Sequence, residues 1–322
     1  MCTYNGLEYI TQQMDSLRAQ TVDLHEVIIC DDHSTDGTLD LVRAYLEQHA
    51  LTNWHVCGNA ANKGYRRNFR DAVDMAQGDW IALCDQDDIW HSDKLQRLSH
   101  IAATYSQARL VAGSFDLIDA DGKPIVHETP AGQSNHGLIH VPLVPGTVYR
   151  FERNTKNTAM LLSGNMALGC TMMVRRDTAQ EFVQNSSLEL PHDWDMALWA
   201  FARDGLFFLN EPVIHYRLHG NNTIGLPTGR ASKKKVAPSY KGRIDVMNHY
   251  DDALKTLESI LERIGAPALD ARYASYGALR RRMLEKHSVP DWLRLHRYYR
   301  IYADMFTFKQ RLGDLLVLLS RP

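Results

Sequence analysis

Apolar and polar positions alternate along the first third of the chain in blocks that predict strands followed by helices. Val27 to Cys30, Trp54 to Cys57 and Trp80 to Cys84 are short, largely apolar runs, typical of strands buried on both faces. Between them, Gly37 to His49 and Tyr65 to Ala76 repeat apolar residues at helical spacing. Because strands that alternate with helices form covered sheets, the pattern predicts an α/β fold with a mostly parallel central sheet.

Polar residues follow the predicted strands at the points where the strands end. They form four clusters: Thr3 to Gly6, Asp31 with Asp32, Asn62 to Gly64, and Asp85 to Asp88. Sheets of this kind bind ligands at the carboxyl ends of their strands. We therefore expect the four clusters to line one crevice.

The cluster from Asp85 to Asp88 carries three acidic residues within four positions, directly after an apolar strand. Carboxylates this close repel one another unless a hard divalent cation or a set of hydroxyl groups collects them. A solvated acidic turn is the alternative for an isolated D-x-D motif, because short motifs occur by chance. Beside the other clusters, the motif favours a site for a metal ion and a diphosphate.

Composition and charge divide the chain into two parts. The chain has 322 residues and is 44% hydrophobic, which is enough for one large core, or one core with an appendage. Residues 1–229 contain 17 Lys and Arg against 28 Asp and Glu, whereas residues 230–322 contain 19 against 10. We therefore predict a catalytic domain over 1–229 and a basic amphipathic helical extension over 230–322. The extension begins with an exposed linker, Ala231 to Lys235, followed by helices from about Arg243, Ala268 and Asp291.

Location is predicted from what the sequence lacks. It contains no apolar run of about 18 residues and does not start like a signal peptide, so we expect a cytoplasmic protein. The five cysteines form no C-x-x-C pair and are interpreted as buried free thiols. No nucleic-acid partner is expected.

Six motifs in order along residues 1 to about 225 resemble those of family 2 glycosyltransferases, which have the GT-A fold. They are T-Y-N-G, C-D-D-H-S-T-D-G-T, N-K-G-Y-R-R-N, C-D-Q-D-D-I-W, H-D-W-D and Y-R-L-H-G-N-N. In this fold an apolar run of about four or five residues normally precedes T-Y-N-G. Only Met1 and Cys2 remain here, so the first strand looks truncated.

The resemblance implies roles for residues on the donor side of the site. Tyr4 would flank a pyrimidine base, Asp31 would accept a hydrogen bond from the base N3–H, and Lys63 would lie near the phosphates. Asp85 would accept from the ribose hydroxyls, and Asp87 would bind Mg²⁺ or Mn²⁺. The full set implied for the nucleotide sugar is Thr3, Tyr4, Asn5, Glu8, Asp31, Asp32, Lys63, Gly64, Asp85, Gln86 and Arg217.

Two later segments complete the implied site. Asp193 precedes a predicted helix from Met196 to Ala202 and resembles the family's catalytic base, although His192 stands where the family often has Glu. An N-cap is the alternative role for Asp193, and Asp195 is a second candidate base. Trp194 and Asp195 are placed on the acceptor side.

Arg217 and His219 follow two short predicted strands, Leu206 to Leu209 and Val213 to Tyr216. Spaced two residues apart, they would project to one side of an extended chain. The guanidinium could then hold diphosphate oxygens, and the imidazole could bind the metal or a phosphate. A surface loop is the alternative.

Together these features predict an inverting, metal-dependent glycosyltransferase. The motifs look most like those of rhamnosyltransferases of bacterial surface polysaccharides, so dTDP-L-rhamnose is the favoured donor and UDP-galactose or UDP-glucose the alternative. A catalytically silent saccharide-binding protein of the same fold remains open. A nucleotidyltransferase would usually need a Gly-rich phosphate loop, which T-Y-N-G does not provide.

The basic tail mixes aromatic residues with Arg294, Arg297 and Arg300. This mixture suits a helix lying in the headgroup region of an anionic membrane, at the inner face of the cell membrane. Acceptors in the resembling family are often polyprenyl-linked, which favours that location. Packing on the catalytic domain is the alternative.

Overall fold

The structure is a computed structural model that describes residues 1–220, 240–306 and 308–319. Its strands are β1 Cys2–Thr3, β2 Val27–Asp31, β3 Trp54–Gly58, β4 Trp80–Ala82, β5 Ile89–Trp90, β6 Leu110–Ile118, β7 Pro124–Ile125, β8 Val148–Phe151, β9 Met172–Arg175 and β10 Leu206–Arg217. Its helices are α1 Ile10–Arg18, α2 Thr38–Gln48, α3 Tyr65–Met75, α4 Lys94–Thr104, α5 Thr155–Ser163, α6 Arg176–Asn185, α7 His192–Ala202, α8 Tyr240–Arg263, α9 Arg272–Glu285, α10 Val289–Leu295, α11 Tyr299–Met305 and α12 Phe308–Leu319.

The chain divides into two compact units. The first contains Met1–His127, Val144–Phe151 and the stretch that begins at Ala167. The second combines Glu128–Leu143 and Glu152–Met166 with the helices from α8 onward. The predicted linker, Ala231 to Lys235, and the predicted boundary at 229/230 lie outside the described residues.

The first unit contains two sheets. β1, β2 and β3 form a parallel sheet in that order, with Cys30 in register between Cys2 and Cys57. The second sheet has the order β4-β9-β6-β10-β5, with β7 beside β6 and β8 beside β10. Its central pair, β6 and β10, is parallel, whereas its other pairings are antiparallel. The predicted α/β class and the strand–helix alternation over residues 27–82 are confirmed.

Two boundaries differ from the sequence prediction. β10 is one strand of 12 residues, not two, because register shifts on either side of Pro212 let the chain continue beside β6. α7 begins at His192 rather than Met196, so Asp193 and Asp195 lie in its first turn.

The second unit has a polar group at its centre. Arg280 and Asp314 are both buried, and two guanidinium nitrogens of Arg280 each lie 3.2 Å from an Asp314 oxygen. Arg243 also pairs with Asp314, and Tyr302 donates its hydroxyl to the same carboxylate. Breaking a buried ion pair of this kind usually costs several kcal/mol. Helix α12 is therefore part of this unit's core, not an appendage.

The tail contains more helices than the sequence predicted. The helix expected from Arg243 to Ile264 is confirmed as α8. The two expected after it are four, because the segment from Asp291 onward is broken into α10, α11 and α12. Among the described residues, no helix has the length and apolar character needed to cross a bilayer.

Candidate active site

The centre of the candidate site is a contact between two side chains 132 residues apart. Nε2 of His219 lies 2.8 Å from Oδ2 of Asp87, and both side chains are mostly buried. Asp87 belongs to the acidic motif between β4 and β5, and His219 follows the end of β10. The neighbouring strands β5 and β10 therefore bring together the two residues predicted as metal ligands.

Asp85 lies in the same electrostatic environment. Burial, together with the negative charges of Asp87 and Asp193, raises the pKa of Asp85 to about 7. A carboxylate with this pKa holds a proton part of the time at neutral pH. A bound dication would favour the ionised form, so the arrangement suits a site that is completed by positive charge.

Two backbone N–H groups hold the Asp193 carboxylate at the start of α7. Its Oδ2 accepts the backbone N–H of Gly169 at 2.9 Å, and its Oδ1 accepts the N–H of Trp194 at 2.9 Å. Its charge also acts on Asp85, which places the carboxylate near the acidic motif. A carboxylate held by two backbone donors keeps lone pairs with which it can accept a proton from a bound hydroxyl.

Asp195, which was predicted on the acceptor side, is buried. It is 2% exposed, and its Oδ2 accepts the hydroxyl of Ser186 at 2.6 Å. Burial raises its pKa to about 6. Trp194 is buried as well. Both residues are thus buried in the first turn of α7, and their place on the acceptor side stays a prediction.

His192 packs against an aromatic ring, at the position where the family that the sequence resembles often has Glu. Its ring stacks on Phe69 with centroids 3.9 Å apart, and neither ring nitrogen hydrogen-bonds to another described residue. Burial lowers its pKa, so the ring is neutral at neutral pH. A Cβ added at Gly169 would come within 3.1 Å of Nε2 of His192. The missing side chain at Gly169 therefore leaves room for both His192 and Asp193.

Arg217 is hydrogen-bonded to the backbone of the acidic motif. It is fully buried, and its Nε donates to the Asp87 carbonyl oxygen at 2.8 Å. Nη1 donates to the Ala120 carbonyl oxygen at 3.0 Å, and Nη2 donates to Oε1 of Gln12 at 2.6 Å. The guanidinium also lies over the ring of Tyr9. The predicted contact with diphosphate oxygens does not fit this buried position, and Arg217 holds the motif instead.

Among the residues predicted to bind the nucleotide, Tyr4 is exposed. The residue is 49% exposed, and its backbone N–H and carbonyl oxygen pair with the side-chain amide of Gln86. A Cβ at Gly6 would come within 2.3 Å of Oε1 of Gln86, so this pairing depends on the glycine. Asn5 adopts φ 48° and accepts the N–H of Thr35, which fixes the same turn. The Gln86 amide thus orders the T-Y-N-G turn.

Asp31 and Asp32 organise loops in this structure. Asp31 is 1% exposed and accepts hydrogen bonds from the hydroxyl of Thr3 and from the N–H and hydroxyl of Ser34. Asp32 accepts the backbone N–H groups of Lys63 and Gly64, both at 2.8 Å. To bind a base, one of the Asp31 carboxylate oxygens would have to accept a further hydrogen bond, from the base N3–H. That role stays a prediction.

The remaining two donor-side residues lie at the surface. Nζ of Lys63 pairs with Asp71 at 2.8 Å, and Glu8 is exposed beside Tyr9. Contact between Lys63 and phosphate oxygens would require that ion pair to open, which an exposed pair does at little cost.

A buried lysine beneath the motif was not predicted. Lys94 is fully buried, its Nζ donates to the Cys170 carbonyl oxygen at 2.6 Å, and it lies 3.2 Å from the ring centroid of Trp90. Burial lowers its pKa to about 7. Asp88 is also buried and accepts the N–H of Arg217 at 3.0 Å. The only sequence signal was the four-residue spacing of Trp90 and Lys94, which an exposed helix start shares.

Comparison with solved structures identifies the fold. The chain aligns with the 1–349 fragment of S. aureus TarS with a TM-score of 0.55 and 15% identity, covering 99% of this chain and 89% of that one. The same fragment in complex with UDP-GlcNAc gives a TM-score of 0.53. The match to the longer TarS structure, with a TM-score of 0.51, covers 42% of that chain. The fold is therefore of the GT-A type.

Comparison of the sequence with known families and proteins identifies the family of this chain. The model of glycosyl transferase family 2 matches residues 1–182, and the chain belongs to that family. It is 29% identical over 239 residues to TuaG of Bacillus subtilis, named a putative teichuronic acid biosynthesis glycosyltransferase, covering 72% of this chain and 82% of TuaG. It is 26% identical over 248 residues to RfbG of Shigella flexneri, named a dTDP-rhamnosyl transferase, covering 73% and 77%.

Proposed function

We propose that this protein is an inverting, metal-dependent glycosyltransferase that transfers a hexose from a pyrimidine nucleotide sugar to a saccharide or polyprenyl-linked saccharide. The observation that carries the proposal is the 2.8 Å contact between Asp87 and His219, beside Asp85 and within the electrostatic reach of Asp193. A catalytically silent protein of the same fold would not need to bring these four groups together.

Asp87 and His219 suit a divalent ion. A carboxylate oxygen and an imidazole nitrogen are both ligands of Mn²⁺, and Mg²⁺ takes the carboxylate with phosphate oxygens. The two ligand atoms are already 2.8 Å apart, about the separation of neighbouring ligands around one ion. When bound, the ion supplies positive charge for the departing diphosphate.

The proton transfer belongs to Asp193. Its carboxylate accepts the proton of an acceptor hydroxyl as that oxygen forms a bond to the anomeric carbon. The bond from the anomeric carbon to the diphosphate oxygen breaks on the opposite face, so the configuration inverts. Gly169 and Trp194 hold the carboxylate in place through their backbone N–H groups.

For the donor we favour dTDP-L-rhamnose, with UDP-galactose or UDP-glucose as the alternative. The similarity to RfbG supports the first, and the fold shared with TarS, solved with UDP-GlcNAc, is compatible with the second. Similarity to TuaG supports a role in bacterial surface polysaccharide synthesis.

The protein would act at the inner face of the cell membrane as a peripheral protein. α12 exposes four apolar side chains along one side, which we call the α12 ridge: Phe308, Leu312, Leu316 and Leu319. Exposed apolar side chains at helical spacing, on a unit rich in arginine, suit contact with anionic lipid. A polyprenyl-linked acceptor would be reached there.

The test is a panel of pyrimidine nucleotide sugars incubated with the protein and Mn²⁺ or Mg²⁺, with released nucleotide measured. We expect slow hydrolysis of one donor, its loss in EDTA, and its loss in the Asp193→Asn variant. Release that persists in EDTA would refute the metal requirement. Tight binding of a donor without any turnover, with or without acceptor mixtures, would favour the silent saccharide-binding protein instead.

A further inference from the structure

A second group of metal-ligand side chains lies on the larger sheet of the first unit, outside the candidate active site. His91, Asp116 and His215 each offer one ligand atom, and all three atoms lie within 4.8 Å of one another. We call this group the sheet triad. Nε2 of His91 lies 3.6 Å from Oδ2 of Asp116, and Nδ1 of His215 lies 3.8 Å from the same oxygen.

Strand register builds the sheet triad. Asp116 on β6 is the parallel partner of His215 on β10, so their side chains leave the sheet on the same face. His215 is also the antiparallel partner of Ile89 on β5, and His91 lies two residues beyond Ile89 and therefore on that face too. Strands β6 and β10, together with the residue that follows β5, thus bring the three side chains to one point.

The ligand atoms are ready to bind. Nε2 of His91 is buried and makes no hydrogen bond to any residue within the described ranges. The two imidazole rings lie close, with centroids 4.4 Å apart. Around a tetrahedral zinc ion, ligand atoms about 2.0 Å from the metal are separated by roughly 3.3 Å. The distances from Oδ2 of Asp116 to Nε2 of His91 and to Nδ1 of His215, 3.6 Å and 3.8 Å, exceed that separation by about half an ångström or less.

The local charge also favours a cation. Arg97 is the guanidinium beside His91, and it is held by Asp93 at 2.9 Å, Glu211 at 3.4 Å and the Pro212 carbonyl oxygen at 2.8 Å. Its contact with Nδ1 of His91 is long, at 3.5 Å. Asp93 and Glu211 offset part of the charge of Arg97, and the carboxylate of Asp116 faces the two histidines. Burial and the neighbouring His215 and Arg97 lower the pKa of His91, which keeps the ring in its neutral, ligating form.

We propose that His91, Asp116 and His215 form a second metal site, selective for Zn²⁺ or a similar first-row ion. Two imidazoles with one carboxylate favour these ions over Mg²⁺, which prefers oxygen ligands. Water completes the coordination. The site is distinct from that of Asp87 and His219, since His215 precedes His219 by four residues, about 13 Å in an extended chain.

Metal binding at the sheet triad would stabilise the fold rather than take part in the reaction. The ion ties β5 to β10 through His91 and His215, and these strands adjoin the two halves of the Asp87–His219 pair. A metal cross-link between His91 and His215 would stabilise the geometry of the active site without contacting the substrate. Metal binding should therefore raise the melting temperature and leave donor chemistry unchanged.

The test is Zn²⁺ binding to the full chain, stripped with chelator, in a large excess of Mg²⁺ that keeps the active-site carboxylates occupied. Bound Zn²⁺ is counted after equilibrium dialysis, and Co²⁺ absorption reports the coordination. We expect one Zn²⁺ per wild-type chain, with affinity at least ~10-fold weaker in His91→Gln and in His215→Gln. His100→Gln, which changes an exposed histidine of α4, is the matched control and should bind as the wild type does.

A Zn²⁺-induced rise in melting temperature should accompany binding in the wild type and disappear in both triad variants. The apo proteins should melt alike, because the three side chains make no short hydrogen bond with one another. Equal Zn²⁺ uptake by wild type and by both triad variants overturns the proposal, as does the absence of uptake by the wild type. Uptake that falls only in Asp87→Asn would place the ion in the active site and also overturn it.

Discussion

Lys94 donates a hydrogen bond from its buried ammonium to the carbonyl oxygen of Cys170 at 2.6 Å. The residue before Cys170, Gly169, donates its N–H to the Asp193 carboxylate at 2.9 Å. A single turn, Gly169 to Thr171, therefore connects the lysine beneath the acidic motif to the proposed base. We therefore expect Lys94 to position the Asp193 carboxylate through this turn.

Lys94→Met keeps the length of the apolar stem but removes the hydrogen bond to Cys170. We expect kcat to fall about tenfold with the donor KM nearly unchanged, because small displacements of a base reduce rate more than binding. Steady-state kinetics with the identified donor will measure this. Lys123→Met, which changes an exposed lysine, is the control. A fall confined to folded yield, with normal kcat in the folded fraction, would contradict the positioning role.

Asp87→Ala removes a carboxylate from the proposed metal pair while leaving the core intact. Turnover should fall by about 10²-fold or more, and the protein should still melt cooperatively near the wild-type temperature. EDTA should reduce wild-type turnover to a similar level, and Mn²⁺ should restore it. An active Asp87→Ala variant, together with full wild-type activity in EDTA, would rule out metal dependence.

The two aspartates of the first turn of α7 should behave differently. Asp193→Asn keeps the size of the side chain but removes the base and one of the two backbone hydrogen bonds that the carboxylate accepts, so kcat should fall by about 10² or more with donor affinity little changed. Asp195→Asn should retain most activity because its carboxylate faces Ser186. Rate and donor binding are to be measured on both variants. The opposite pattern would show that Asp195 is the base.

Asp195 should also influence how stability depends on pH. Its folded-state pKa is about 6, above the ordinary value of 3.8. A raised pKa means that the folded protein holds the proton more tightly, so the stability from this group is present at low pH and is lost as pH rises through about 6. A shift of about two units corresponds to about 3 kcal/mol, an upper figure.

Asp195→Asn is neutral at every pH and so removes this loss. Between pH 4 and pH 7.5, the unfolding free energy of the variant should improve relative to the wild type by about 2 to 3 kcal/mol. Urea unfolding at both pH values will measure it. Asp74→Asn, at an exposed position on α3, should show no such trend. Parallel pH profiles for wild type and Asp195→Asn would contradict the burial effect.

Features that follow from the local pattern of residues could be predicted from the sequence. The burial of individual charged side chains could not. The strands and helices over residues 27–82 follow from apolar periodicity, and motif order brought Asp87 and His219 forward as a pair. Arg217 was misjudged because a guanidinium after a strand looks the same whether it is buried or exposed. Lys94 was overlooked for the same reason.

Register and helix boundaries set a second limit. α7 was expected to begin at Met196 and begins at His192, so Asp195 lies in its first turn rather than in a loop before it. The sheet triad could not be predicted, because it depends on the register of β6 and β10, whose paired residues lie about a hundred positions apart. No spacing rule along the chain connects His91, Asp116 and His215.

The α12 ridge provides the test of membrane association. Removing the chain from about Pro290 onward is unsuitable, because Tyr302 and Asp314 lie in the core of the second unit and their loss would unfold it. Leu312 and Leu316 are 43% and 53% exposed, so replacing both with Gln should leave the fold intact. Binding to anionic liposomes at low salt should then fall several-fold, while donor hydrolysis stays the same.

The matched control is Leu293→Gln, since Leu293 is 60% exposed on α10 and lies off the ridge. It should sediment with liposomes as the wild type does. Raising the salt concentration should weaken wild-type binding as well, because arginines of the tail contribute through screened charge. If the wild type ignores anionic liposomes at low salt, or if Leu293→Gln weakens binding as much as the double variant does, the ridge is not a membrane contact.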